Sequence, residues 1–186
     1  MTTRALTALA MILLSGCSFF KRPPNQFYSL DTIPGTAAAA VSGTPVGIDG
    51  IELPPGLDRR GIVLRDEKNK LEVRGTHQWA SSLEDMVIHT LAFDLASRLP
   101  EGMVVLPGQD KPAAMRSVHV LFEELSPGPD NIFVLDARWT IGPAAANHHE
   151  RIEITMPSDD STEVVNAMNQ ALAALADRMV MSLSRA

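Results

Sequence analysis

Apolar residues recur at helical spacing between residues 82 and 99. The stripe that they form also takes in polar positions, and its members are Leu83, Met86, Val87, Thr90, Leu91, Asp94, Leu95 and Arg98. This period predicts an amphipathic helix that buries the apolar members of the stripe. Ser81 and Glu84 have the spacing of a capping box, and Pro100 closes the segment because its ring cannot continue a helix.

A longer amphipathic helix is predicted at the C-terminal end. Its stripe consists of Val164, Val165, Met168, Ala171, Leu172, Leu175, Ala176, Met179, Val180 and Leu183. Asp160 and Glu163 supply the polar pair that is typical of a helix start. Because an apolar stripe stabilises a helix only when it is covered, both helices are expected to pack on other elements.

Strand-like alternation marks three successive segments at residues 117–125, 132–141 and 148–156. The first two are separated by residues 126–131, whose Pro, Gly, Asp and Asn content is typical of a turn. Short connections of this kind join antiparallel neighbours. The three segments therefore predict consecutive antiparallel strands.

Shorter strands are predicted earlier in the chain, at residues 27–30, 46–53, 62–65, 71–74 and 103–106. Residues 62–65 and 71–74 flank a charged segment and predict a hairpin with a solvated tip. Two helices cannot cover both faces of a wide parallel sheet. We therefore expect an α+β fold, a mostly antiparallel sheet with two main helices packed on one face.

The N-terminus has the pattern of a bacterial lipoprotein signal. Arg4 precedes an apolar run at residues 5–14, which is too short to span a bilayer but fits a signal-peptide core. The run ends in Leu14-Ser15-Gly16-Cys17, which resembles a lipobox. We expect residues 1–16 to be removed as a signal peptide and the thiol of Cys17 to carry a diacylglycerol. The alternative is an ordinary secretory signal followed by an inert cysteine.

Residues 17–26 contain Lys21, Arg22 and a Pro-Pro pair, a composition that predicts a lipidated tether. Residues 27–186 have a length suited to one domain. In the lipoproteins that this chain resembles, a residue other than Asp after the lipidated cysteine favours outer-membrane sorting, and Ser18 occupies that position. The expected location is the periplasmic face of the outer membrane, with attachment by lipid.

The charge balance excludes one class of partner. The chain has 16 Lys and Arg against 22 Asp and Glu, and loss of Arg4 with the signal leaves 15 against 22, a net charge of −7. An acidic domain repels nucleic-acid phosphates, so no nucleic-acid binding is expected. Broad adhesion to anionic headgroups is disfavoured for the same reason, which leaves the acyl chains as the membrane attachment.

Local motifs of catalytic or metal chemistry are missing from the sequence. His148-His149-Glu150 is the one dense group of metal-ligand types, but strand neighbours point to opposite faces and cannot converge on one ion. There is no Gly-x-Ser-x-Gly elbow and no glycine-rich phosphate loop. We therefore expect no enzyme activity, no metal and no cofactor. The alternative is a periplasmic lipoprotein hydrolase for envelope polymers, with catalytic residues dispersed along the chain.

The two tryptophans suggest different roles. Trp139 lies within a predicted strand, where core packing is the favoured interpretation. Trp79 directly precedes the first predicted helix, so its ring is expected outside the stripe that Leu83, Met86 and Val87 commit to the core. Trp79 is therefore the candidate residue for binding a protein partner, and core packing is the alternative.

Several segments in order resemble one family. They are Phe27-Tyr28-Ser29-Leu30, the stretch from Leu53-Pro54 to Ile62-Val63-Leu64-Arg65, Gln78-Trp79-Ala80-Ser81-Ser82-Leu83, the stretch from Leu91 to Leu99-Pro100, and Val134 to Trp139. Together with the lipobox they make the chain similar to the ABC-transport auxiliary lipoproteins of the PqiC family.

That resemblance implies a partner, an MCE-domain tunnel protein in the periplasm. Its inner-membrane permease and ATPase would move lipids or other hydrophobic molecules between the two membranes, and the lipoprotein would be a docking subunit at the outer membrane. The resemblance also implies a homo-oligomer. A lipid carrier with its own internal cavity is a rival interpretation, but a chain of this size has little spare apolar surface to line one.

Overall fold

The computed structural model describes residues 23–37, 43–66, 70–142 and 147–183. Within these ranges the chain forms eight strands and two helices. In chain order they are β1 (Gln26–Tyr28), β2 (Val46–Glu52), β3 (Gly61–Arg65), β4 (Leu71–Trp79), α1 (Leu83–Arg98), β5 (Val104–Val105), β6 (Arg116–Pro127), β7 (Ile132–Ile141), β8 (His148–Thr155) and α2 (Ser161–Leu183). The predicted signal peptide, Cys17, Ser18 and the tether up to Arg22 lie outside the described residues.

The strands form two mixed sheets, with the orders β1-β4-β3 and β5-β2-β6-β7-β8. The predicted hairpin β3-β4 and the predicted run β6-β7-β8 are both antiparallel. By contrast, β1 pairs parallel with β4, and β2 pairs parallel with β5 and β6. The α+β class is confirmed, while the second sheet and the parallel pairs were not foreseen. Because α1 carries the chain back along the sheet, β5 and β6, the first two strands after it, run in the same direction as β2.

Both helices pack on one face of the five-stranded sheet, as predicted. α1 packs on β2 and β5, α2 packs on β6, β7 and β8, and the helices contact each other. Every member of both predicted stripes is buried. In α1 this includes Asp94 and Arg98, so the stripe buries an acid and a base along with its apolar members.

Two bulges change which side chains reach the core. In β2 the register shifts between Ile48 and Gly50, so Val46 and Ile51 are both buried although strict alternation puts them on opposite faces. In β6 the register shifts after Phe122, and the next buried large side chain is Leu125. Val118 and Val120, which precede this shift, are also buried.

The helix starts differ slightly from the prediction. Ser82, not Ser81, is the N-cap of α1, and its Oγ accepts a hydrogen bond from the backbone N–H of Asp85 at 3.4 Å. At the start of α2 the carbonyl of Asp160 accepts from the N–H of Val164 at 2.9 Å. Neither described helix combines the length and apolar character needed to cross a membrane.

Candidate functional site

Three chain segments meet at one end of the small sheet. The N–H of Trp79 donates to the carbonyl of Arg60, and the N–H of Ala80 donates to the carbonyl of Tyr28, both at 2.8 Å. These bonds bring the end of β1, the loop before β3 and the end of β4 together just before α1 begins. They enclose a groove of about 280 Å³, lined by Phe27, Asp58, Arg59, Arg60, Trp79, Ala80, Ser81, Ser82 and Leu83. We call this groove and its rim the Trp79 corner.

The Trp79 ring lies in the core and is not displayed at the surface. Its side chain is 5 % exposed and belongs to the same buried cluster as Leu83, Met86 and Val87. The expectation that the ring lies outside that cluster is therefore wrong, because β4 runs on to Trp79 and places it against the helix. The exposed residues of the corner are Phe27, Asp58, Arg59, Arg60, Ala80, Ser81 and Ser82, and the largest of them are Phe27, Arg59 and Arg60. As a residue that binds a partner, Trp79 stays a prediction.

Trp139 packs in the core as expected. It is 4 % exposed, and its ring stacks on His148 with centroids 5.2 Å apart and an interplanar angle of 16°. His148 thus faces the inner side of β8, while His149 is exposed on the other side. The predicted divergence of these two histidines follows from the pleat of the strand.

An extended segment, residues 31–35, lies along both helices, and we call it the strap. Every second backbone N–H of the strap donates to a helix side chain. The acceptors are Asn169 Oδ1 at 3.1 Å from Asp31 N, Asp94 Oδ1 at 2.8 Å from Ile33 N and Ser97 Oγ at 3.3 Å from Gly35 N. Only residues 29 and 30 separate the strap from β1, so these bonds tie the N-terminal strand to the helical layer.

Arg98 completes this attachment from within the helix pair. Its side chain is 3 % exposed, with Nε donating to Asp177 Oδ1 at 2.6 Å and Nη1 donating to the carbonyl of Ile33 at 3.0 Å. Its Nη1 lies 3.8 Å from Asp94 Oδ1. Burial raises the pKa of Asp94 to about 6, although the N–H of Ile33 and the charge of Arg98 act in the opposite direction. The sequence placed Asp94 and Arg98 on the α1 stripe, but their contacts with the strap required the tertiary structure.

The outer face of the larger sheet carries a network of ion pairs. Ligand-type atoms of Glu123, Asp136 and His149 lie within 4.8 Å of one another. Glu123 accepts from Arg138 at 2.7 Å, and Asp136 bonds His149 at 2.7 Å and Arg151 at 3.3 Å. The hydrogen bond with Glu123 raises the pKa of Arg138. Cationic side chains therefore already pair with both carboxylates, and ion pairing accounts for the cluster.

A serine, a histidine and an aspartate also meet near the bulge in β2. The pKa of Asp49 is lowered by hydrogen bonds from Lys111 and Ser117, and His119 Nε2 lies 3.9 Å from Asp49 Oδ2. The aspartate is the shared neighbour, whereas a nucleophilic triad needs the histidine between the other two. Hydrogen bonds to histidine rings in the described ranges join Tyr28 to His77 and Asp136 to His149. The Tyr28 hydroxyl donates its proton to Gln26 Oε1 at 2.9 Å, so it accepts from His77 and is not activated by that ring. This geometry is not that of a triad.

Comparison with known proteins identifies relatives of the whole domain. Residues 28–180 match the family described as the ABC-type transport auxiliary lipoprotein component. The intermembrane transport lipoprotein PqiC of Escherichia coli (strain K12) is 26 % identical over 138 residues, covering 73 % of this chain and 72 % of the relative. PqiC of Shigella flexneri matches with the same identity and coverage.

Two solved structures share the fold. The crystal structure of an uncharacterized protein superposes with a TM-score of 0.73 at 17 % identity, covering 87 % of this chain and 99 % of the other. The crystal structure of a protein from Xanthomonas campestris gives a TM-score of 0.63 at 14 % identity, covering 83 % and 92 %. At these identities the similarity establishes the fold alone. The matched range begins at Tyr28, the last residue of β1, and ends in α2, so it contains Arg59, Arg60 and Trp79, the strap and α1, whereas Phe27 immediately precedes it.

Proposed function

This chain belongs to the ABC-type transport auxiliary lipoprotein family, and from that membership we propose that it is a non-catalytic docking subunit of an intermembrane transport system. The observation that carries the proposal is the match across residues 28–180, from the end of β1 to near the end of α2. The lipobox at Cys17 supports it from an independent part of the sequence. We propose that residues 1–16 are a signal peptide, that residues 17–26 are a lipidated tether and that the domain faces the periplasm from the outer membrane.

The proposed partner is an MCE-domain tunnel protein and, through it, an inner-membrane permease and ATPase. The relatives are intermembrane transport lipoproteins by name, which supports a place in a multi-component system. A docking subunit at a symmetric tunnel mouth is expected to form a homo-oligomer. Lipids or other hydrophobic molecules are the proposed cargo of the system, and the lipoprotein itself needs no cofactor for this role.

A passive role is also supported by the chemistry of the polar clusters. Glu123 and Asp136 form ion pairs with Arg138 and His149, and Asp94 attaches the strap, so these groups have structural partners. A hydrolase would instead need a nucleophile next to a base that a third group orients. We therefore favour docking over the hydrolase alternative.

The predicted contact residue Trp79 is carried forward as part of this proposal. Since its ring is 5 % exposed, it would act by supporting the rim formed by Phe27, Arg59 and Arg60. Trp79→Phe keeps an aromatic ring in the core and is the variant of choice for testing the contact, because truncation to Ala would also test stability.

The test is co-purification from native membranes. The full-length protein, tagged at its C-terminus, is extracted in mild detergent, and co-purifying proteins are identified by mass spectrometry. We expect an MCE-domain protein with its permease and ATPase, and a mass by light scattering above that of one chain. Cys17→Ser is the control for proteins recovered only because they share a membrane. Recovery of the lipoprotein alone as a monomer, or turnover of envelope polymers by the purified protein, would contradict the proposal.

A further inference from the structure

Phe27 is the most exposed large apolar side chain in the described part of the molecule. It is 66 % exposed, whereas the other exposed large apolar residues in that part are between 36 % and 42 % exposed. Arg59 and Arg60 lie beside it on the rim of the Trp79 corner and are also exposed. Within the described ranges neither guanidinium takes part in an ion pair, although Arg59 Nε donates to the carbonyl of Gly56 at 3.0 Å. Both positive charges remain available to a ligand.

The corner is locally positive in an acidic protein. Its lining contains two arginines and one carboxylate, that of Asp58, while the whole chain has a net charge of −6. The N-terminus of α1 opens at the same groove and adds partial positive charge. Glu84 and Asp85 follow in the first turn of α1 but are not among the residues that line the groove. The corner thus combines an aromatic ring with uncommitted positive charge.

Chain connectivity puts this corner next to the proposed lipid anchor. Phe27 is ten residues after Cys17. Ten residues reach at most about 35 Å when fully extended. A compact domain of this length is on the order of 40 Å across. The end of the domain that carries Phe27 is therefore held close to the membrane, and the tether adds the positive charges of Lys21 and Arg22.

We propose that the Trp79 corner is the membrane-contacting face of the domain and that its ligand is the anionic phospholipid surface of the anchoring leaflet. Phe27 enters the headgroup region, where aromatic rings are favoured, while Arg59 and Arg60 bind phosphates. The proposal rests on lipidation at Cys17. It revises the expectation that this acidic domain does not adhere to anionic headgroups. That expectation used the net charge of the whole chain, whereas membrane contact depends on the local charge within about a Debye length of the surface. This rim is also the proposed contact between the Trp79 corner and the protein partner, so the membrane and the partner are competing occupants of one surface.

The test places single labels on the mature, lipidated protein in vesicles. Cys17 is the only cysteine and is blocked by lipid, so an introduced cysteine is the single free thiol. Phe27→Cys reports on the corner. Met181→Cys is the matched control, since Met181 is 42 % exposed and follows Asp177, which binds Arg98 at the opposite end of α1. Each variant carries an environment-sensitive fluorophore and is measured with aqueous iodide in vesicles with phosphatidylglycerol and in vesicles of phosphatidylcholine alone.

On vesicles with phosphatidylglycerol we expect iodide quenching at position 27 to fall several-fold, with little change at position 181. Arg59→Gln with Arg60→Gln should lower the ratio of docked to undocked protein by roughly 30-fold, because each arginine near an anionic surface contributes about a factor of five. Circular dichroism checks that this double variant is folded, and high salt should reproduce its effect on the parent protein.

Equal quenching at position 27 with and without phosphatidylglycerol would overturn the proposal, as would protection that appears only when an MCE-domain partner is added. In both cases flotation of the labelled protein with the vesicles shows that the anchor itself is intact. Failure to float, with Cys17 unmodified by mass spectrometry, would instead refute the lipoprotein assignment on which the proposal rests.

Discussion

Gly35 and Arg98 are in direct contact, and the contact leaves no room for a side chain at position 35. A Cβ built on Gly35 would lie 2.5 Å from Cζ and 2.7 Å from Cγ of Arg98. The arginine cannot move aside freely, because its guanidinium is held by Asp177 and by the carbonyl of Ile33. The strap and the helix pair are therefore fitted to each other at this point.

Gly35→Ala should accordingly destabilise the domain by about 1–3 kcal/mol, the usual range for overpacking a filled site. Gly75→Ala is the matched control, since a Cβ at Gly75 has no heavy atom within 4 Å. Urea denaturation measures both, and the control should stay within about 0.5 kcal/mol of the parent. Equal effects of the two substitutions would show that the strap is not packed against Arg98.

The stability of the domain should depend on pH through Asp94. Burial raises the pKa of this carboxyl from 3.8 to about 6 in the folded state. A raised folded pKa means that the Asp94 contribution to stability is fully present below pH 3.8 and is lost as the pH rises through 6. The difference corresponds to a free energy on the order of 3 kcal/mol.

Asp94→Asn should remove this pH dependence, since the amide has the same shape and its oxygen still accepts from Ile33 N. The melting temperatures of the parent protein and of Asp94→Asn are compared from about pH 4.5 to about pH 7.5, a range that brackets the pKa of about 6. The parent should lose stability relative to the variant as the pH rises. Parallel pH profiles would show that Asp94 does not titrate in this range.

Leu91→Asp and Leu172→Asp should each unfold the domain, because both leucines are 0 % exposed and lie on the buried stripes. An unpaired buried carboxylate costs at least several kcal/mol. Phe93→Asp and Met181→Asp are the matched controls on the same helices, at side chains that are 40 % and 42 % exposed. Circular dichroism and thermal melting should show loss of structure in the two leucine variants and a folded protein in the two controls. If the leucine variants melt cooperatively at the temperature of the parent protein, Leu91 and Leu172 are not core residues.

Trp79→Ala and Trp139→Ala should destabilise the domain to a similar degree, by about 3–5 kcal/mol. The sequence suggested a smaller loss for Trp79, but the two rings are 5 % and 4 % exposed. Denaturant unfolding of both variants checks this. A loss below about 1 kcal/mol for Trp79→Ala would restore the interpretation of this ring as a surface contact.

Cys17→Ser should leave the protein in the periplasmic fraction, because the thiol is the proposed site of acylation and the tether alone cannot hold an acidic domain on a membrane. Fractionation followed by immunoblotting is the measurement. Retention of the variant in the membrane fraction, with the signal processed normally, would refute lipid anchoring at Cys17.

Local patterns in the sequence were sufficient to locate most elements. The period of 3.6 identified both helices, whose predicted stripe residues are all buried, and the β6-β7-β8 run followed from alternation and short turns. These features depend on residues that are close together in the chain, so they can be predicted without knowledge of the fold. The parallel pairing of β2 with β6 could not be predicted, because 70 positions separate Ile48 from its pairing partner Val118 and no local pattern encodes that approach.

The sequence by itself determined the two helices, the α+β class and the resemblance to a transport lipoprotein family, and it predicts lipidation at Cys17 from a motif that resembles a lipobox. The tertiary structure alone decided where the polar and aromatic residues act. It buried Trp79, which sequence position had suggested was free, and it brought Phe27, Arg59 and Arg60 to one rim. It also turned Asp94 and Arg98 from stripe members into the attachment of the strap. Such contacts join residues far apart in the chain, and they are set by the packing of whole elements, which no local pattern records.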